Sequence, residues 1–149
     1  MSESSEHAGT VCVLGFDVGA RRIGVAVGNT LSQTARPIAV VEVSESGPDW
    51  QRIEGLAREW RPDRLLVGEP LTLDGAAQPA THRARRFAHD VGARLNLPVS
   101  LVDERSSSKE ADRRFADRRR RGEARRRDAA ALDAIAAEII VERWLQQAG

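Results

Sequence analysis

Two valine-rich runs, Val11–Asp17 and Ile23–Gly28, are separated by a few residues around Gly19–Arg22, and that spacing leaves room for a tight turn and little else. Short β-branched runs flanking a glycine-bearing turn form an antiparallel hairpin. The fold therefore has to start from two paired strands. Inside the first run sits an acid, Asp17, in "LGFDVGA". A carboxylate taken out of water needs a cation or several hydrogen bonds. Asp17 is either a turn aspartate, as Asp-x-Gly commonly is, or a residue placed for chemistry, and the run alone leaves both readings open.

A third strand follows at Ile38–Val43, "IAVVEV", and then the period changes. Trp50, Ile53, Leu56, Ala57 and Trp60 recur at three and four residues, which predicts a helix with Asp49 as N-cap and Pro62 as its stop. "RLLVGEP" reads as a buried strand, Ala80–Leu95 as a second helix, "PVSLVDE" as a fifth strand, and Ser106–Gln147 as helix broken near Gly122. A length of 149 residues suits one domain, expected over 11–149 behind a disordered tail at 1–10. The element order predicts an α/β fold with a mixed five-stranded sheet flanked by helices. A three-strand meander extended by parallel strands resembles the ribonuclease H-like fold.

Charge is unevenly spread. The net charge is only +1, yet Lys109 is the only lysine and nine arginines fall between Arg113 and Arg127. Guanidinium groups pair bidentately with phosphate, so this run is a candidate anion-binding surface, with a solvated loop as the alternative. Cys12, alone in "VCVLGF", reads as core packing in a reducing compartment. No run approaches the roughly 20 apolar residues of a membrane span, and "MSESSEHAGT" lacks the pattern of a secretory signal. A soluble, cytoplasmic protein is expected.

Acids recur where strands end. Asp103 and Glu104 close the fifth strand in "LVDERSSS", and ligands in open α/β sheets bind at the carboxyl ends of strands. On the last helix, Leu132, Ile135, Ala136, Ile139 and Ile140 form the expected apolar face, with Asp133 beside it among alanines. Adjacent strand side chains point oppositely, which makes Asp103 the weaker partner of Asp17; Asp128 looks like an N-cap. Converging carboxylates repel unless a cation is present, and hard oxygen ligands suit Mg²⁺ or Mn²⁺. Such clusters serve phosphoryl chemistry with two ions about 3.5–4 Å apart. Taken singly, Glu104 with Arg105 reads equally as a surface ion pair, and Asp133 as a solvated helix residue. His82 and His89 read as surface residues.

Four segments, "GFDVGARRIGVAVG", "LLVGEPLTLDG", "VDERSSSKEA" and "LDAIAAEIIVERWL", resemble in order and spacing the YqgF or RuvX-like family of pre-16S rRNA nucleases, relatives of the RuvC Holliday junction resolvases. The resemblance runs from Val11 to Gln147. It implies a ribonuclease H-like nuclease that processes the 5′ end of 16S rRNA, with Asp17, Glu104 and Asp133 as catalytic metal ligands. It also implies substrate contacts from Arg22, Arg105 and Ser108. Arg119, Arg120, Arg125 and Arg126 join them as part of the basic run. Glu69 departs from the family pattern, which commonly has an apolar residue there, and is either a fourth ligand or a solvent-facing acid. The partner expected is RNA, on the ribosomal precursor, with branched DNA as the alternative; the protein would be a monomer or a homodimer. A resolvase of four-way junctions would need two sites in a symmetric dimer. An actin-like or sugar-kinase ATPase would need two such lobes, and a silent RNA-binding module would have no use for three acids.

Overall fold

The computed structural model describes residues 9–104 and 129–147. β1 (Cys12–Val18) and β2 (Arg22–Asn29) form the expected hairpin, closed at its tip by the Gly19 amide donating to the Arg22 carbonyl at 2.9 Å. β3 (Thr34–Ser44) runs antiparallel to β2 and is longer than the apolar pattern suggested. Pro37 hid its first half, residues 34–37. The register slips between Val25 and Ala26, pairing them with Ala39 and Pro37 and leaving Ile38 as the extra residue. A bulge lets the strand pass a proline that has no amide to give. Thr10 is already buried ahead of β1, its carbonyl accepting from Thr30 Oγ1 at 2.6 Å.

β4 (Gly47–Pro48) adds a two-residue edge against Val43 and Ser44, so the sheet has six strands where five were expected. Two residues carry no alternation, so periodicity could not find them. α1 (Trp50–Trp60) is capped by the Asp49 carboxylate, which accepts from the Arg52 amide, and ends at Arg61 in the left-handed conformation just before Pro62. β5 (Arg64–Glu69) lies parallel to β1, α2 (Pro79–Leu95) crosses over, and β6 (Val99–Asp103) lies parallel to β5. The sheet order is β4-β3-β2-β1-β5-β6. α3 (Ala129–Gln147) is the last described element.

Alternation along β1 sorts the two faces. Leu14 and Phe16 join Val25, Ile53, Leu65, Val67 and Phe87 in the core beneath α1 and α2. Val13 joins Ala26, Leu66, Val102, Ala137, Ile140, Val141 and Trp144 beneath α3. Gly15 and Asp17 share Val13's face. The sheet-facing stripe of α3 thus runs through Ala137, Ile140, Val141 and Trp144, whereas Ile135, Ala136 and Ile139 form a separate cluster with Leu132. This corrects the apolar face expected from sequence. From Ala134 to Val141 every residue of the helix is buried, Glu138 included, and a helix buried all round has no single face to read.

α3 lies against the sheet where the sheet has glycine. A Cβ on Gly24 would stand 1.9 Å from the Asp133 carbonyl oxygen, and Cβ atoms on Gly15 and Gly28 would stand 2.4 and 2.3 Å from Val141. Gly24→Ala is therefore expected to lose at least ~2 kcal/mol of stability, because helix backbone has to move. Gly55→Ala, within α1 where a Cβ would meet only the end of Arg58 at 3.9 Å, should gain roughly 0.5–1 kcal/mol. Urea denaturation of the two variants beside the parent checks both.

Candidate active site

Asp17 stands one residue from the end of β1, on the α3 face, and is mostly buried. Its cross-strand partner on β2 is Gly24, the residue against which the Asp133 backbone rests. On its other side the β1–β5 register reaches Phe16 opposite Val67, so the next residue of β5 beside it is Gly68. A Cβ on Gly68 would lie 2.7 Å from the Glu104 carboxyl and 2.4 Å from Ile140 Cδ1. Asp17 is thus flanked by two positions without side chains. One admits the helix carrying Asp133, and the other admits the carboxyl of Glu104. These glycines are the part of the site that motif reading passed over; glycine inside a strand marks close approach, and that signal was present.

Glu104 follows β6 and is buried at 8% exposure, its amide donating to the Glu69 carbonyl at 3.3 Å. Its carboxyl is hydrogen-bonded to that of Asp17. Asp133 is held differently: Arg22 Nε donates to its Oδ2 at 2.8 Å. Arg22 opens β2, so this bond ties the hairpin tip to the first turns of α3. Arg143, further along α3, donates to the Asp103 carbonyl at 3.1 Å and ties the helix to the end of β6.

Burial, and then the charge of Asp133, push the Asp17 carboxyl up to about 6, against a smaller lowering from the Glu104 hydrogen bond. The environment is one that resists a full set of negative charges. Among the described residues, no three His, Cys, Asp or Glu side chains already surround one ion position. Asp17 and Glu104 face each other, while Asp133 faces the Arg22 guanidinium. An oxygen-only donor set of mutually repelling carboxyls fits a hard divalent cation.

The remaining candidates are placed elsewhere. Glu69 lies one residue beyond Gly68 and so on the opposite face, where its Oε2 accepts from Arg85 Nε of α2 at 2.7 Å. Asp103 is exposed, as are His82 and His89 on α2. Arg105, Ser108, Arg119, Arg120, Arg125, Arg126 and Asp128 lie outside the described residues. Among the described residues, no helix is long and apolar enough to cross a membrane.

A mixed sheet of this order is the ribonuclease H-like fold of RuvC-type resolvases. The fowlpox virus resolvase bound to Holliday junction DNA superposes with a TM-score of 0.53 at 13% identity, covering 91% of this chain and 97% of that one. At that identity the likeness is one of fold. The model of the RuvX family, described as Holliday junction resolvase, matches residues 11–147. A relative from Xanthomonas oryzae pv. oryzae, named "Putative pre-16S rRNA nuclease", is 61% identical over 133 residues, 89% of this chain and 86% of its own. A relative of the same name from Xanthomonas campestris pv. campestris is 56% identical over 145 residues, covering 97% and 94%. The chain belongs to the RuvX family, and it is a nuclease, a hydrolase of phosphodiester bonds. Nucleases of the RuvC-like fold generally use divalent metal ions.

Ionising Asp17 costs folding energy, because its folded-state value of about 6 exceeds the ordinary 3.8. In the absence of divalent ions that cost is absent below about pH 4 and complete above about pH 6 to 7. Asp17→Asn should therefore stabilise the protein in EDTA at pH 7 by roughly 1–3 kcal/mol and have little effect at pH 4. Thermal melts at the two pH values check this.

Proposed function

We propose that this nuclease hydrolyses single-stranded or structured RNA, and that its substrate is the 5′ end of pre-16S rRNA on the ribosomal precursor in the cytoplasm. One observation carries the chemistry: Asp17 of the first strand, Glu104 just after β6 and Asp133 of the last helix lie at one end of the sheet, with Asp133 paired to the Arg22 guanidinium. The RNA substrate is supported by relatives named for pre-16S rRNA at 61 and 56% identity.

The three carboxyls would hold two Mg²⁺ or Mn²⁺ ions. The chemistry supplied by ions held there is activation of water and neutralisation of charge at the departing oxygen. The chain's own residues do the rest. Asp17 and Glu104 would act as ligands in their ionised form. Asp133, seated against Gly24, is fixed in position by the backbone. Arg22, once released from Asp133, has a guanidinium at the same strand end to donate to the scissile phosphate as its charge grows in the transition state. The basic run including Arg119, Arg120, Arg125 and Arg126 holds the RNA backbone, with Arg105 and Ser108 contacting substrate nearer the cut.

The resolvase description of the family model supports a second substrate, four-way DNA. Labelled pre-16S leader RNA and junction DNA, assayed side by side with Mg²⁺, separate the two. Preferential cleavage of the RNA is expected. Asp17→Asn, Glu104→Gln and Asp133→Asn should each abolish cleavage, and double variants should be no worse than singles, as for residues acting as a unit. Arg22→Ala should lower turnover more than affinity. Full activity in any carboxyl variant contradicts the site.

Replacing Arg119, Arg120, Arg125 and Arg126 by Gln should leave turnover at saturating RNA in place and weaken binding across sequences. The slope of log affinity against log salt should flatten by about one to three units, at roughly 0.7 per phosphate contact on single strands. Fluorescence anisotropy at several salt concentrations reads this directly.

A further inference from the structure

The three carboxyls occupy one face of the sheet at the end of β1; a cavity occupies the other face at the same end. Its volume is about 280 Å³. Val18 and Gly19 of the hairpin, Pro48 of β4, Trp50 of α1 and Phe87 of α2 form its apolar wall, while Arg83, Arg86 and Asp90 of α2 bring charge to it. Val18 directly follows Asp17, and adjacent strand residues point to opposite faces. The cavity and the acids thus lie on opposite faces of the same strand end. The larger cavity, about 450 Å³ beside Cys12, Arg36 and Trp60, lies at the other end of β1 and shares no strand end with the acids.

The wall is rigid. Trp50 stacks on Phe87 with ring centroids 5.6 Å apart and planes 6° from parallel, and the Arg94 guanidinium covers the Trp50 ring at 4.4 Å. Phe87 is braced in turn by Phe16 at 5.2 Å. Trp50, packed in this way, lends apolar surface to the cavity. Arg83 and Arg86 sit three residues apart on α2 and so on neighbouring positions of one helix face. Both are exposed, and unlike Arg85, which is bound to Glu69, neither forms an ion pair among the described residues. Asp90 adds one carboxylate acceptor, so the three charged groups sum to a single positive charge.

An apolar slot lined by two guanidiniums that form no ion pair among the described residues matches a nucleotide, with the base against the wall and a phosphate on the arginines. We propose that this cavity is a nucleotide subsite. It takes an unpaired nucleotide next to the scissile bond, the strand passing from the carboxyls over the hairpin tip at Gly19 and Ala20. The placement relative to the cut rests on the nuclease site described above; nucleotide binding in the cavity does not.

Two measurements test it separately. The chain has three tryptophans, so the indole signals of Trp50, Trp60 and Trp144 can be followed by NMR in full-length protein. Adenosine 5′-monophosphate titrated without divalent ions should shift the Trp50 signal saturably, leaving Trp144 still. Inorganic phosphate alone should leave Trp50 unmoved. Arg83→Gln/Arg86→Gln should weaken nucleotide binding about tenfold or more, while the charge-matched Arg52→Gln/Arg58→Gln on α1 should not. An unmoved Trp50, or an equal response to phosphate, overturns the proposal. For the position in the track, single abasic residues are scanned across an RNA substrate. One position beside the cut should lower the parent's cleavage efficiency about tenfold, and the Arg83→Gln/Arg86→Gln variant should lose no more on that substrate than on unmodified RNA. A flat scan with normal cleavage of unmodified RNA overturns the subsite and leaves the nuclease reading intact. Nucleotide binding at Trp50 without metal-dependent cleavage of any RNA does the reverse.

Discussion

The contact between Gly24 and the backbone at Asp133 is the constraint on which the site depends. Any side chain on β2 at that point would hold α3 off the sheet. Asp133 reaches Asp17 because its helix rests on a strand that has nothing there to stand it away. Gly15 and Gly28 extend the same contact along α3 to Val141. Gly68 performs the equivalent task on the other side of Asp17, clearing space for Glu104. Backbone packing thus sets the carboxyl positions before any side-chain interaction does, and elements distant in sequence meet through main chain and small residues.

Gathering three acids in a mostly buried corner has an electrostatic cost, visible in the upward displacement of Asp17 to about 6. The Arg22 guanidinium on Asp133 offsets part of it. This counter-charge is also one that can leave. Arg22 is 44% exposed at its side chain, so its pair with Asp133 is one of modest strength. A second ion pair nearby lies elsewhere: Glu69 binds Arg85 on the far face. That pairing keeps a fourth acid out of the cluster and fixes α2, which carries the cavity arginines, against the sheet.

Much of this was legible from residues alone, for identifiable reasons. The β1–β2 hairpin and the capped helix α1 follow from alternation, a short turn and Asp49 before a 3.6-residue period. Asp17 and Glu104 were visible because each interrupts an apolar run at a strand end. The seating of α3 was not. With Ile135 and Ile139 buried on one side and Ala137 and Val141 on another, hydrophobicity marks no single face, and only the glycines opposite reveal which one meets the sheet. The first half of β3 was hidden by Pro37, which a bulge accommodates. Glu69 could not be assigned without Arg85, sixteen residues away on another element. The cavity at Val18 is built by side chains of β1, β4, α1 and α2, a juxtaposition no local pattern encodes.

The central claim is that Asp17, Glu104 and Asp133 act together on a shared divalent ion once Asp133 gives up its guanidinium. Anomalous diffraction from crystals soaked in Mn²⁺ tests it most directly. The expected result is a Mn²⁺ peak in contact with carboxyl oxygens of all three residues, with Arg22 no longer bonded to Asp133. A peak held by other residues, or an Arg22–Asp133 bond that persists beside bound Mn²⁺, would contradict it.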